Sequence, residues 1–327
     1  MSRRLTDLIR EGYDGPVCTV GSPERMGWFR KEKKRIHIFA LGDVGGTLLT
    51  GLRLLGNDCL SAIGIYDVRE TYAARWEMEM NQVALPWEYD HFPPVEIVTA
   101  DTLYDCDIFV FCASRGVPPV TEKTKDVRMA QYEANATLVK ETASRVVNAG
   151  FQGLFAVVSD PVDLLCRAAA SAGLAPEQVK GYGLGVMNAR GIYYARRDPR
   201  FSSFLTEGAA FGPHGQDLVL ANSLSPSRYD DALSRELTEL AVTANLSMRE
   251  LGFKPYMAPA LSSGALSLLA TASGRWHYSS SCFGGVWLGA KNRVTASGIE
   301  VENPELPEAL YARIQSAWEE LNRIPPV

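Results

Sequence analysis

The first half of the chain alternates short apolar runs with segments of helical spacing. The apolar runs at 36–40 and 60–66 are short and β-rich, which is typical of buried strands. A glycine-rich turn at 42–46 follows the first run. The segment between this turn and the second run carries leucines on one side of a helix, at Leu48, Leu49, Leu52 and Leu55. This order of strand, turn, helix and strand predicts a βαβ unit.

The same alternation continues to about residue 160. Apolar runs at 94–100, 107–113 and 153–159 predict further strands, and periodic segments at 69–83 and 127–149 predict helices. Strands that alternate with helices indicate a parallel, doubly wound sheet.

Beyond residue 160 the rhythm changes. Helical spacing dominates at about 161–172, 187–197, 228–252, 260–272 and 305–323, and glycine-broken apolar runs at 279–301 predict antiparallel strands. We therefore predict an α/β fold with an N-terminal extension (1–34), a dinucleotide-binding Rossmann domain (35–160) and an α+β substrate domain (161–327). We expect the extension to pack on a neighbouring subunit or to form a flexible tail.

The glycine turn and the acid after the second strand point to a dinucleotide. Gly42 lets the backbone approach a pyrophosphate, and Gly45 lets the helix pack closely on the strand. The helix N-terminus offers unpaired N–H groups to the phosphates. Asp67 stands where a carboxylate accepts hydrogen bonds from an adenosine ribose, which favours NAD over NADP, although Arg69 is close enough to soften this preference. Ala40 replaces the first glycine of G-x-G-x-x-G, so an ordinary α/β turn with a solvated aspartate remains the alternative.

Composition disfavours several classes of function. The 327 residues carry a net charge of −5 with a pI near 5.5, which disfavours binding to nucleic acid or anionic membranes. No apolar run reaches the roughly 18 residues of a membrane span, and the N-terminus lacks the apolar core of a secretory signal. The six cysteines are scattered without a C-x-x-C motif, and the four histidines have no metal-ligand spacing. We expect a cytoplasmic protein without a metal.

Five segments, taken in order over roughly residues 35–325, resemble the lactate/malate dehydrogenase family. They are the glycine turn with Asp67, the strand end Phe111-Cys-Ala-Ser114, Val158-Ser-Asp-Pro-Val-Asp163 (similar to V-S-N-P-V-D), Asn188-Ala-Arg190 (similar to the end of D-S-A-R) and Phe211-Gly-Pro-His-Gly215 (similar to G-x-H-G). The resemblance implies NAD as cofactor, a small carboxylate substrate, hydride transfer between nicotinamide and a 2-hydroxy or 2-oxo acid, and a homodimer or homotetramer.

The resemblance also implies catalytic roles. His214 would donate and accept the substrate proton, and Arg190 would grip the substrate carboxylate with a two-pronged hydrogen bond. Arg128, seven residues before Asn135, matches the family's loop arginine, which polarises the substrate carbonyl. A structural turn histidine and two solvated arginines are the alternatives. The implied cofactor contacts are Gly42, Asp43, Val44, Gly45, Asp67, Ala113, Ser114, Asn135 and Ser159, and the implied substrate contacts are Arg128, Arg190, Ser262 and Ser263.

Three departures from the family pattern bear on activity. Met187 stands where the family has the aspartate that pairs with the catalytic histidine, and Asp160 replaces an asparagine. The segment between Ala113 and Arg128 is about five residues longer than in a typical lactate dehydrogenase, so the sequence does not identify the substrate. Either Asp160 supports His214, or it contacts an amine in a reductase of imines or other modified keto acids. The remaining alternative is a catalytically silent NAD-binding protein.

Overall fold

The computed structural model describes residues 3–12, 15, 17–115 and 127–326. A parallel sheet forms the first half of the fold. The parallel strands are β3 (Lys34–Phe39), β4 (Leu60–Tyr66), β5 (Val95–Ile97), β6 (Ile108–Phe111), β7 (Leu154–Val157) and β8 (Val179–Gly181). Their residues are largely buried, as expected for strands covered on both faces.

Antiparallel strands extend this sheet. They are β2 (Val17–Val20), β11 (His277–Phe283), β12 (Val286–Thr295) and β13 (Gly298–Val301). Within the described residues ten strands form one sheet in the order β2-β13-β12-β11-β8-β7-β6-β3-β4-β5. Two short pairs lie outside it, β1 (Arg3–Arg4) with β14 (Glu305–Leu306) and β9 (Ala209–Phe211) with β10 (Val219–Ala221). The predicted α/β class is confirmed.

Helices connect the strands. They are α1 (Asp43–Leu55), α2 (Glu70–Asn81), α3 (Val127–Asn148), α4 (Val162–Ser171), α5 (Leu184–Ala195), α6 (Phe204–Glu207), α7 (Asp231–Glu250), α8 (Leu266–Ala272) and α9 (Glu308–Arg323). A π-helix, Pro259–Ala265, precedes α8, and 3₁₀ turns cover Leu5–Leu8, Gly27–Arg30, Pro176–Gln178 and Pro199–Phe201. Helix α5 begins three residues earlier than predicted. No helix in the described ranges is both long and apolar enough to cross a bilayer.

The described part of the N-terminal extension pairs with its own chain, so it does not form the flexible tail that was one of our two expectations. Strand β2 adds to the edge of β13, with Val17 opposite Val301 and Val20 opposite Gly298. Strand β1 pairs with β14 near the C-terminus. The physical reason is that an uncovered β13 would leave a row of unpaired backbone groups at the sheet edge.

A buried lysine lies where the parallel and antiparallel halves meet. Strands β8 and β11 share one paired position, Gly181 with Ser280. Beside it, the fully buried Lys180 on β8 donates hydrogen bonds to Ser281 on β11 and to Asn292 on β12. Burial lowers the pKa of Lys180 to about 7. Side-chain hydrogen bonds therefore reinforce a junction that has little backbone pairing.

Candidate active site

The glycine turn leaves an open side above the start of α1. Ala40 has a φ of 77°, in the left-handed region that favours glycine, which explains the motif position it occupies. A Cβ at Gly45 would stand 2.0 Å from the Ala40 carbonyl oxygen, so glycine is required there. A Cβ at Gly42 would meet nothing within 4 Å. The turn thus has the space, and the helix start has the N–H groups, that the pyrophosphate of NAD requires.

Asp67 is held from both sides at the end of β4. Its side chain is buried and accepts hydrogen bonds from the Leu41 N–H at 2.8 Å and the Arg69 N–H at 2.9 Å. The Arg69 guanidinium adds contacts of 3.0 and 3.3 Å and lies over the Tyr72 ring. Burial acts to raise the pKa of Asp67, but the hydrogen bonds from Arg69 and Leu41 outweigh it and the pKa is lowered. The carboxylate is therefore ionised, and the Arg69 guanidinium contacts both of its oxygens.

A fully buried asparagine joins two strand ends at this edge of the sheet. Asn135 on α3 accepts from the Arg115 N–H at 2.9 Å and donates to the Asp160 carbonyl at 2.8 Å. Its amide also contacts the Ser114 hydroxyl at 3.4 Å. The Ser159 hydroxyl donates to the Ala113 carbonyl at 2.7 Å. The structure thus brings together the predicted residues that follow β6 and β7.

His214 pairs with Asp160 across the gap between two halves of the fold. The distance from His214 Nδ1 to Asp160 Oδ1 is 3.1 Å, with side-chain exposures of 13% and 48%. A carboxylate only accepts hydrogen bonds, so Nδ1 carries the proton and Nε2 remains for another partner. A Cβ at Gly183 would lie 2.6 Å from the His214 Cβ, so a glycine before α5 lets the histidine loop approach.

Arg190 on α5 reaches the same region. Its Nη1 donates to the Ala241 carbonyl at 3.0 Å and contacts the Met187 sulfur at 3.4 Å, and its Nη2 donates to Asn245 on α7. Burial lowers the pKa of Arg190, whereas the nearby charges of Tyr194 and Asp160 act to raise it. Among the described residues Nε has no hydrogen-bond partner, so one edge of the guanidinium is available to a carboxylate.

Several expected residues lie elsewhere or in a different role. Met187 is buried in an apolar cluster and contacts Arg190 rather than His214. The Ser263 hydroxyl already donates to the Gly183 carbonyl at 2.6 Å and accepts from the Val186 N–H at 2.8 Å. It therefore holds the start of α5, while Ser262 is half-buried beside it with its carbonyl bonded to the Ser267 hydroxyl.

Other expectations concern the loop before α3 and the start of α1. Arg128 belongs to α3, but its side chain lies outside the described residues, as does most of the lengthened segment at 116–126. Val44 and Asp43 form the first turn of α1.

Two contacts had no signal in the sequence. Asn245 supports Arg190 from α7, 55 positions away, and Lys254 forms an ion pair with Asp43, 211 positions away. Neither spacing corresponds to a motif.

Comparison with known proteins shows what the chain is similar to. Residues 34–181 match the family model described as lactate/malate dehydrogenase, NAD binding domain. The L-lactate dehydrogenase of Treponema denticola is 27% identical over 198 residues, which is 60% of this chain and 59% of that protein. The L-lactate dehydrogenase of Mesomycoplasma hyopneumoniae (strain 232) is 25% identical over 194 residues, which is 58% of this chain and 58% of that protein. The chain thus matches less than two thirds of the length of these relatives.

Solved structures show the same fold over a longer range. The minor L-lactate dehydrogenase of Enterococcus mundtii has a TM-score of 0.73 at 18% identity, covering 90% of this chain and 98% of that one. The malate dehydrogenase of Archaeoglobus fulgidus in complex with NADH has a TM-score of 0.71 at 18% identity, covering 88% and 97%. Residues 34–181 are therefore an NAD-binding domain of the lactate/malate dehydrogenase type, and the chain as a whole has the fold of these dehydrogenases.

Proposed function

We propose that the protein is an NAD-dependent oxidoreductase that interconverts a 2-hydroxy acid and a 2-oxo acid. The observation that carries this proposal is the hydrogen bond between His214 and Asp160. It supplies the carboxylate partner that Met187 cannot supply, on a histidine that reaches a residue following the carboxyl end of β7.

Each residue of the site then has its own role in the reaction. NAD, when bound, supplies or accepts the hydride. His214 gives a proton from Nε2 to the substrate oxygen during reduction and takes it back during oxidation, while Asp160 keeps the proton on Nδ1. Arg190 binds the substrate carboxylate through its available edge. Arg128 would stabilise the substrate carbonyl, as the family resemblance implies.

A second candidate is a reductase of imines or other modified keto acids. The observation in its favour is that the Asp160 side chain is 48% exposed, so that it can accept a hydrogen bond from a substrate amine as well as from His214. A cationic nitrogen requires such a nearby anion.

The test is oxidation of NADH by the purified protein with a panel of 2-oxo acids, each with and without a primary amine. Turnover on a plain 2-oxo acid that is lost in His214→Gln supports the first proposal. The matched control is His91→Gln, since His91 pairs with Glu88 in a surface loop. Turnover that requires the amine supports the second candidate, and NADH binding without any turnover indicates a silent binding protein.

A further inference from the structure

The phosphate turn carries a carboxylate that a dinucleotide would be expected to oppose. Asp43 directly follows Gly42 and is the first residue of α1. An acid in the first turn stabilises a helix, because the helix N-terminus carries partial positive charge. The same position is where the negatively charged pyrophosphate of a dinucleotide binds. Asp43 therefore helps the helix and weakens the site, unless its charge is neutralised.

A lysine from the second half of the chain supplies the opposite charge. Lys254 Nζ lies 3.1 Å from Asp43 Oδ2, and the two side chains are 81% and 52% exposed. Lys254 belongs to the segment that joins α7 to the π-helix. An ion pair this exposed contributes little to stability, so its location at the turn matters more than its strength.

Close helix packing fixes where this lysine stands. A Cβ at Gly51 of α1 would lie 2.6 Å from the Ala265 Cβ in the π-helix. A Cβ at Gly264 would lie 2.8 Å from a methyl of Leu48 in α1. Two glycines thus let α1 and the π-helix touch, and the segment carrying Lys254 is held against the amino end of α1.

We propose that Lys254 is a cofactor-binding residue, which neutralises Asp43 and presents its ammonium group to the pyrophosphate of NAD. The inference concerns the NAD-binding domain and goes beyond the proposed reaction, because it holds whether or not the bound cofactor reacts. Its signature is that the two members of one ion pair have opposite effects on cofactor affinity. A pair that only held the segment in place would give effects of the same sign.

The experiment is titration of the full chain with NADH, followed by nicotinamide fluorescence. We expect Lys254→Met to weaken NADH binding about three- to tenfold and Asp43→Asn to strengthen it about threefold. The double variant should fall between the two single variants. Both effects should shrink as NaCl is raised, because salt screens exposed charges. Lys291→Met is the matched control, since Lys291 forms a similar surface pair with Glu302.

The outcomes are distinct. Weaker binding in both single variants, or changes below twofold in both, would overturn the role of Lys254. Thermal melting of each variant separates an effect on folding from one on affinity. Failure of the wild-type protein to bind NADH would overturn this inference and also the assignment of NAD as the cofactor. NADH binding without turnover would leave the inference intact and would rule out the proposed reaction.

Discussion

Replacement of Asp160 by asparagine tests the pairing on which the proposed reaction rests. Asparagine has nearly the same shape and its amide oxygen can still accept from His214 Nδ1. The substitution therefore removes the negative charge and keeps the hydrogen bond at 3.1 Å. Any loss of rate then measures the charge.

The size of the effect follows from the exposure of the pair. Asp160 is 48% exposed, so solvent screens the interaction strongly. Two unit charges about 4 Å apart in an effective dielectric of about 40–80 interact by about 1–2 kcal/mol. During oxidation of the 2-hydroxy acid His214 gains a proton, so the anion stabilises the transition state, and its loss should lower kcat for oxidation roughly five- to thirtyfold.

The assay is steady-state reduction of NAD at saturating 2-hydroxy acid, the direction in which His214 takes up the proton. Asp58→Asn is the control, since Asp58 is exposed and precedes β4 at the opposite edge of the sheet. An unchanged kcat would refute the pairing as part of the mechanism.

Four further predictions follow from single side chains. Met187→Asp would raise activity if the missing carboxylate partner of His214 were the only defect. The structure instead predicts a lower kcat and a lower melting temperature, because the substitution buries a carboxylate in an apolar cluster. Arg190→Lys should raise KM by about ten- to a hundredfold, since a lysine cannot bond to α7 and to a substrate carboxylate at the same time. A change in KM of only a few-fold would show that Arg190 is not part of the site. Arg69→Ala should tighten NADH binding about threefold in a fluorescence titration, because it uncovers Asp67, and weaker binding would show that Arg69 assists the cofactor. Unfolding by urea should require more denaturant as pH rises from about 7 to 8.5. Burial lowers the pKa of Lys180 to about 7 in the folded protein, so in this pH range the unfolded chain holds a proton on Lys180 that the folded chain has lost. Lys180→Met should abolish this dependence of stability on pH.

Local patterns were enough to predict most of the fold. The apolar runs marked β3, β4, β6 and β7, and helical spacing marked α1, α7 and α9. The glycines beside His214 were also informative, since Gly212 has a φ of 87° and Gly215 one of 158°. These features depend on neighbouring residues, which a sequence shows directly.

Contacts between distant segments were harder to predict. The sequence left two uses open for Asp160, and only the approach of the His214 loop to the end of β7 favours one of them. The pairs of Lys254 with Asp43 and of Asn245 with Arg190 depend on how the helices pack. The pairing of β2 with β13 likewise joins segments almost 280 positions apart. No spacing rule applies to such contacts.

The junction at Lys180 has a consequence for how the protein opens. A continuous sheet leaves no hinge between its halves, so motion that separates them has to break β8 from β11. Backbone pairing there is sparse, and the bonds from Lys180 to Ser281 and Asn292 carry much of the connection. Amide hydrogen exchange should therefore find the boundary between two cooperative opening units at this lysine, near the end of the NAD-binding domain at 34–181, rather than at residue 160, where the sequence pattern predicts the end of the Rossmann domain.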